Sequence, residues 1–329
     1  MTAPWRILSL PPIDEDLVRG LFAPLADTAE IAFPVTRDRA ALLDALPKAD
    51  IVIADFSARL ALDAEAVAAA SRVAFVQMPA VGTDSIDVAA LTAAGVPVAN
   101  AAGFNARGVA EWALGAAFSL CRNLAWGDRA VRAGEWPQME MTARTPREIH
   151  TQRVGIVGFG AIGSEAARLF TALGCTVSYW TRRKRPDAPA TYRDLDDLMA
   201  TSDILVIALP RTDETKNLIG PERLALMPDN ALLVNVARGG IAPDDAVLDA
   251  LNSGRLAGAA LDVFDQEPLP VEHPLRSHEN VLLSPHAAGA SVQSQLNLAV
   301  LVRDNVTAAV EGWDVRHIVN GMNPQVRRR

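Results

Sequence analysis

The stretch Val154-Gly155-Ile156-Val157-Gly158-Phe159-Gly160-Ala161-Ile162-Gly163 carries three glycines spaced G-x-G-x-x-G. A short apolar run precedes them, and a helical pattern continues to about Leu173. Each glycine has its own physical use in a strand–turn–helix that binds a dinucleotide. Gly158 permits the tight turn, Gly160 lets the backbone approach a pyrophosphate with no Cβ in the way, and Gly163 lets the helix pack close to the strand. Ala161 and Ile162 open that helix, whose free N–H groups and partial positive charge face the phosphates. Gly174 sits where a helix-ending glycine belongs, and a second apolar run, Thr176 to Thr181, follows it. The result is a β-α-β unit of the length the glycine pattern requires. The alternative is a structural glycine turn in some other α/β protein.

In a fold of this kind selective for NAD, an acidic residue at the end of the second strand accepts hydrogen bonds from the adenosine ribose. Here Thr176-Val177-Ser178-Tyr179-Trp180 ends at Thr181 without a carboxylate, and Arg182-Arg183-Lys184-Arg185 follows. A guanidinium can bind phosphate bidentately, so the run suits the 2′-phosphate of NADP(H), with NAD(H) still usable. Thr181, Arg182 and Arg183 are the expected contacts. A solvated charge run on a loop is the plain alternative.

Three further residues follow apolar runs in the second half. Arg238 comes after Leu232-Leu233-Val234-Asn235-Val236-Ala237, Glu267 lies in Asp262-Val263-Phe264-Asp265-Gln266-Glu267-Pro268, and His286 comes after Val281-Leu282-Leu283-Ser284-Pro285. As ends of parallel strands, all three belong on the same rim as the glycine turn. Taken singly, each has a plain explanation: a surface arginine, a loop carboxylate, a buried turn histidine.

The elements that would position these residues alternate along the chain. Before residue 104, strands are expected at 6–10, 51–56, 73–78 and 97–100, and helices at 14–21, 37–46, 63–70 and 86–93. Ala80-Val81-Gly82-Thr83 is then a loop at the carboxyl end of a strand, read either as an anion-holding turn or as an ordinary one. Asn105 to Leu124 reads as one long helix, and Trp126 to Gln152 as an irregular surface excursion, an arm for another subunit. After the glycine turn, strands are expected at 203–209, 231–237, 258–263 and 281–284, with helices at 221–226, 243–252 and 290–311. Such alternation builds mostly parallel sheets with helices on both faces.

The 329 residues suit two domains with separate cores. Half of them are hydrophobic and the net charge is −8, which argues against nucleic acid or an anionic membrane as partner. Two cysteines, Cys121 and Cys175, sit in apolar stretches and suggest neither disulfides nor a metal site. His150, His273, His278 and His317 form no ligand cluster with them, so no metal is expected. Neither a signal peptide nor an uncharged membrane span is legible, so a cytoplasmic protein is the default.

The spelling Ala237-Arg238-Gly239-Gly240, Gly258-Ala259-Ala260-Leu261-Asp262-Val263-Phe264, Glu267-Pro268 and Ser284-Pro285-His286 resembles the D-isomer-specific 2-hydroxyacid dehydrogenase family. So do Val81-Gly82-Thr83-Asp84, Asn105-Ala106, Val109-Ala110-Glu111 and the glycine turn, and the match covers nearly the whole chain. The resemblance implies two doubly wound parallel-sheet domains with an active-site cleft between them. Residues 1–104 plus 291–329 would form a flavodoxin-like substrate domain, and residues 105–290 a Rossmann-type cofactor domain. It implies that Arg238 binds the carboxylate of a 2-oxo acid and polarises its ketone. His286 would pass a proton to or from that oxygen, and Glu267 would hold the imidazole. Val81 and Gly82 would hold the substrate carboxylate through backbone N–H groups, and Asp262 would meet the nicotinamide carboxamide end. A homodimer through the Asn105 helix and the arm is implied as well.

Three departures qualify the match. Ala80 replaces a frequent glycine, Trp112 a frequent histidine, and Thr181 the acidic residue. The last resembles the glyoxylate/hydroxypyruvate reductase branch, whose members often use NADPH. The expected activity is therefore NADPH-preferring reduction of a small 2-oxo acid. The rivals are a non-catalytic dinucleotide sensor, and a phosphoglycerate, formate or phosphite dehydrogenase. The short stretch after the last helix leaves no room for the regulatory domain of many phosphoglycerate dehydrogenases.

Overall fold

The computed structural model describes residues 3–329, which divide into two units, one running to Phe104 and resuming at Val292, the other Asn105–Ser291. In the first unit the order is β1 (Trp5–Ser9), α1 (Glu15–Leu21), β2 (Ala29–Ala32), α2 (Arg39–Ala45), β3 (Ile51–Ile53), α3 (Ala64–Ala69), β4 (Phe75–Gln77), α4 (Val88–Ala93) and β5 (Val98–Ala99). The helices start where an aspartate caps them: Asp14, Asp38, Asp63 and Asp87 each accept a hydrogen bond from a backbone N–H of the first turn. The strands pair in parallel in the order β2-β1-β3-β4-β5, the flavodoxin-like doubly wound arrangement.

Helices cover both faces of this sheet, so its inner strands β3 and β4 are buried at every position rather than at alternate ones. Leu8, Val52, Val76 and Val98 pack on one side, and Ile7, Ile51, Ile53 and Phe75 on the other. The last helix, Val292–Glu311, returns to this unit and buries Val302, Val306 and Ala309 against the second side. Its buried Asn305 donates from Nδ2 to Gln77 Oε1 at 2.8 Å. Asp50, fully buried, fastens the chain end: it accepts from the Arg6 N–H at 2.9 Å, Arg72 at 2.9 Å and Arg328 at 2.8 Å.

The second unit opens with α5 (Ala106–Cys121), α6 (Leu124–Arg132) and α7 (Gln138–Ala143). It continues through β6 (Arg153–Val157), α8 (Ala161–Ala172), β7 (Thr176–Trp180), β8 (Thr191–Tyr192), α9 (Leu195–Thr201), β9 (Ile204–Ile207) and α10 (Pro221–Leu224). The remaining elements are β10 (Ala231–Asn235), α11 (Asp244–Asn252), β11 (Leu256–Leu261) and β12 (Val281–Leu283). The sheet order β12-β11-β10-β9-β6-β7-β8 is parallel at every pairing. Counting from β6, this is the 3-2-1-4-5-6 Rossmann order with one further strand, and its switch point lies between β6 and β9. Small residues let α5 approach α8: Val109, Ala110, Ala113 and Ala117 share a buried cluster with Ala166, Ala167 and Phe170.

The expectation of an irregular stretch from Trp126 to Gln152 is corrected: it holds α6 and α7. Asn123, at φ 52°, ends the preceding helix and turns the chain into α6, so the long helix stops at Cys121. The Gly134-Glu135-Trp136-Pro137 turn then divides two helices too short to show a clear period. Among the described residues, no helix is long and apolar enough to cross a membrane.

Candidate functional site

The glycine turn leaves β6 and enters α8 at the switch point of the second sheet. Gly158 has φ 98°, which an L side chain rarely adopts. A Cβ on Gly163 would sit 2.0 Å from the Gly158 carbonyl oxygen, so only glycine lets the helix close onto the turn. Gly160, the N-cap of α8, is the opposite case: a Cβ there would meet nothing within 4 Å. The open space above Gly160, beside the Ala161 and Ile162 N–H groups, which open α8 and make no hydrogen bond to the described residues, suits a pyrophosphate. The cradle therefore fits a dinucleotide. Gly174, at φ 87°, closes α8 as expected, with the Cys175 N–H reaching back to Phe170 O at 3.1 Å.

At the end of β7, the Thr181 hydroxyl donates to Arg183 O at 2.7 Å, which curls the basic run into a turn. The Tyr179 hydroxyl braces the far end, donating to Arg185 O at 2.9 Å and accepting from the Arg185 N–H at 3.0 Å. Arg182 does not stand alone: it forms an exposed ion pair with Glu214 from the loop after β9.

Arg238, Glu267 and His286 follow β10, β11 and β12, three adjacent strands, at their carboxyl ends. The Arg238 turn is held from several sides. Buried Asn235 accepts from the Ala237 N–H at 3.1 Å and donates to Arg238 O at 3.3 Å. Asp265 accepts from the Gly240 N–H at 2.6 Å and the Asp244 N–H at 3.1 Å, while its own N–H donates to Asp244 Oδ2 at 3.1 Å. This reciprocal clasp ties the turn after β10 to the loop after β11. Burial pushes the Asp244 carboxyl up to about 6, and the charge of Asp265 adds to the rise. Gly239 is obligatory in the clasp, since a Cβ there would lie 1.7 Å from Phe264 O.

His286 sits at φ 54°, an uncommon backbone conformation for a residue with a side chain. Asp262, 2% exposed, holds it there. Its carboxylate accepts from the Ser284 hydroxyl, the Ala287 N–H at 2.7 Å and the Ala288 N–H at 2.9 Å. Its carbonyl accepts the His286 N–H at 2.8 Å. The imidazole then presents Nδ1 to Glu267 Oε2 at 2.7 Å, while Glu267 Oε1 accepts the Phe264 N–H at 3.0 Å. An ionised carboxylate can only accept, so Nδ1 carries the proton and Nε2 is left to exchange one with a bound molecule. Both side chains are partly exposed.

In the first unit, Val81 and Gly82 lie in the loop after β4. Asn100 Nδ2 donates to Val81 O at 2.7 Å and the Ala101 N–H to Ala80 O at 2.9 Å, while the Val81 and Gly82 N–H groups make no hydrogen bond to the described residues. Sequence reasoning missed Glu214 and the Asp244–Asp265 clasp. Both are contacts between loops far apart in the chain, and no local spacing marks them.

Residues 114–288 match the D-isomer specific 2-hydroxyacid dehydrogenase, NAD binding domain. A glyoxylate reductase of Aeropyrum pernix is 39% identical over 276 residues, 81% of this chain and 82% of that protein. A D-3-phosphoglycerate dehydrogenase of Archaeoglobus fulgidus is 30% identical over 319 residues, 96% of this chain but 59% of that longer protein. The crystal structure of a glyoxylate reductase from Paecilomyes thermophila superposes with a TM-score of 0.87 at 27% identity, covering 97% of this chain and 99% of that one. With the dinucleotide cradle and the two parallel sheets, these matches place the chain in the D-isomer-specific 2-hydroxyacid dehydrogenase family, as a nicotinamide-dinucleotide-dependent oxidoreductase.

Proposed function

We propose that the protein reduces a small 2-oxo acid, of the class of glyoxylate and hydroxypyruvate, to the D-2-hydroxy acid, with NADPH preferred and NADH usable. The observation that carries this reading is the 2.7 Å contact of His286 Nδ1 with Glu267, on a loop held by Asp262. A dinucleotide sensor has no chemical use for an imidazole held in this way. The relatives named glyoxylate reductase support the substrate class.

The bound cofactor supplies a hydride to C2 of the oxo acid. His286 delivers a proton from Nε2 to the C2 oxygen, so the ketone becomes an alcohol and the ring ends neutral; the reverse reaction takes the proton back. Glu267 holds the ring by Nδ1. Arg238 pairs with the substrate carboxylate and polarises the ketone. Val81 and Gly82 offer N–H groups to the same carboxylate, and Asp262 keeps one acceptor position for the carboxamide of the cofactor. Arg182 and Arg183 serve the 2′-phosphate.

We also propose a homodimer built through α5 and the arm that follows. Leu124, Val131, Trp136 and Met139 stand exposed on that arm, Trp136 by 80%, and a second copy would cover them. Oxidation of 3-phosphoglycerate is the second reading, favoured by the Archaeoglobus fulgidus relative. Activity on 3-phosphohydroxypyruvate above that on glyoxylate would select it.

His286→Ala tests the central role. Turnover should fall roughly 100- to 10,000-fold while the Kd for NADPH stays within about twofold. Near-normal turnover would remove His286 from proton transfer.

A further inference from the structure

The sequence leaves the end of the second strand of the glycine-turn unit without a carboxylate, and the structure brings one there from elsewhere. Glu214, in the loop after β9, pairs with Arg182, the second residue past β7. Because β9 and β7 flank β6 on opposite sides, the pair spans the carboxyl end of the strand that carries the glycine turn. Neither partner rides on a loose loop. Buried Thr215, next to Glu214, donates from its hydroxyl to Pro210 O at 2.8 Å and accepts the Thr212 N–H at 2.7 Å. Thr181 and Tyr179 brace the Arg182 turn. Both charged side chains are about two-thirds exposed, 67% for Arg182 and 66% for Glu214, and an ion pair so exposed contributes little to folding.

This is the place where a dinucleotide fold meets the adenosine 2′ position. We propose that Glu214 is a cofactor-selecting residue that acts against Arg182. The inference rests on the reading that a dinucleotide lies on the glycine turn with Arg182 at its 2′ side. A cofactor with a 2′-hydroxyl donates that hydroxyl to Glu214 and leaves the ion pair whole. A cofactor with a 2′-phosphate draws Arg182 away from Glu214 and sets the phosphate beside a like charge. Arg182 thus favours NADPH, Glu214 favours NADH, and the ratio of the two affinities reports their competition.

Fluorescence titration of the full-length protein with NADPH and with NADH measures this directly, without turnover. Glu214→Gln should tighten NADPH about 3- to 10-fold and weaken NADH about 2- to 5-fold, the opposite signs being the signature. The gain for NADPH should shrink between low salt and about 0.5 M salt, as screening of an exposed charge requires. Arg182→Ala should weaken NADPH at least about 10-fold and leave NADH within about twofold. An unchanged NADPH-to-NADH ratio in Glu214→Gln would overturn the proposal, whether both affinities stay the same or move together. The wild-type ratio separates this inference from the cofactor reading beneath it. A wild-type protein that prefers NADH, with Glu214→Gln shifting the ratio toward NADPH, supports the role of Glu214 and overturns NADPH preference. A wild-type protein that prefers NADPH, with a ratio unmoved by Glu214→Gln, does the reverse.

Discussion

At the scale of single residues, the candidate site depends on where a Cβ is impossible and where its absence leaves room. Gly239 and Gly160 separate the two cases. Gly239→Ala would place a methyl 1.7 Å from Phe264 O, so the backbone carrying Arg238 must move. The protein should lose about 1–3 kcal/mol in denaturant titration, and KM for the oxo acid should rise while NADPH Kd holds. Gly160→Ala meets nothing within 4 Å, so the only loss in denaturant titration should be that of a poorer helix cap, about 1 kcal/mol or less. Its methyl would instead occupy the pyrophosphate space, and both NADPH and NADH should bind at least about 10-fold more weakly. A Gly160→Ala protein that unfolds early yet binds cofactor normally would contradict this account of the turn. Gly158, Gly160 and Gly163 were legible in the sequence because their spacing is local. The partner of Arg182 was not, because Glu214 lies 32 residues further along the chain.

At the scale of elements, the clasp between the loop after β10 and the loop after β11 should give the protein a measurable pH dependence. The Asp244 carboxyl lies near 6 when folded, against an ordinary value of 3.8. The folded state therefore holds the Asp244 proton more tightly than the unfolded state does. Its stabilising contribution is complete below about pH 4 and is lost as pH rises through about 6. Asp244→Asn cannot titrate and keeps an acceptor for the Asp265 N–H. Its stability relative to wild type should improve between pH 4 and pH 7, by about 3 kcal/mol at most. A difference that is flat with pH would show that Asp244 does not titrate in this window. Helix starts were legible where an aspartate caps them, as at Asp14 and Asp63, and the apolar run from Ile51 marked where β3 begins, but the strand expected at 51–56 stops at Ile53. Elements were not legible where burial is mixed. The short edge strand β2, Ala-Glu-Ile-Ala, passed unnoticed, as did α9, whose Leu195, Leu198 and Met199 are too few to show a period.

At the scale of the whole molecule, the two sheet orders explain why residues so far apart in sequence become candidates for one reaction. The rim of the second sheet collects the ends of β6, β7, β9, β10, β11 and β12, and with them the glycine turn, Arg182, Glu214, Arg238, Glu267 and His286. Alternation of strands and helices made the fold class legible. The return of the last helix to the first unit was legible only through the family resemblance, because nothing local marks which sheet a helix covers. The chain end is held by charge. Burial acts to raise the Asp50 carboxyl, but the Arg6 N–H and the Arg328 and Arg72 guanidiniums outweigh it and hold it below the ordinary range. Asp50 therefore stabilises the fold at neutral pH, and that contribution is lost as pH falls through its lowered value. Asp50→Ala takes the acceptor from the Arg6 N–H and the counter-charge from Arg72, while Arg328 keeps Pro4 O at 2.8 Å, and it should cost about 1–3 kcal/mol at pH 7 by chemical denaturation, and less at pH 3. An equal loss at both values would contradict the role of its charge.

The central claim is chemical, and initial rates test it most directly. The wild-type protein is supplied with NADPH or NADH and a panel of glyoxylate, hydroxypyruvate, pyruvate, phenylpyruvate and 3-phosphohydroxypyruvate, and loss of the reduced nicotinamide is followed. Turnover of glyoxylate or hydroxypyruvate, with NADPH ahead of NADH, is the predicted result. No turnover across the panel, from a protein that binds NADPH tightly, would contradict the assignment as a reductase of small 2-oxo acids.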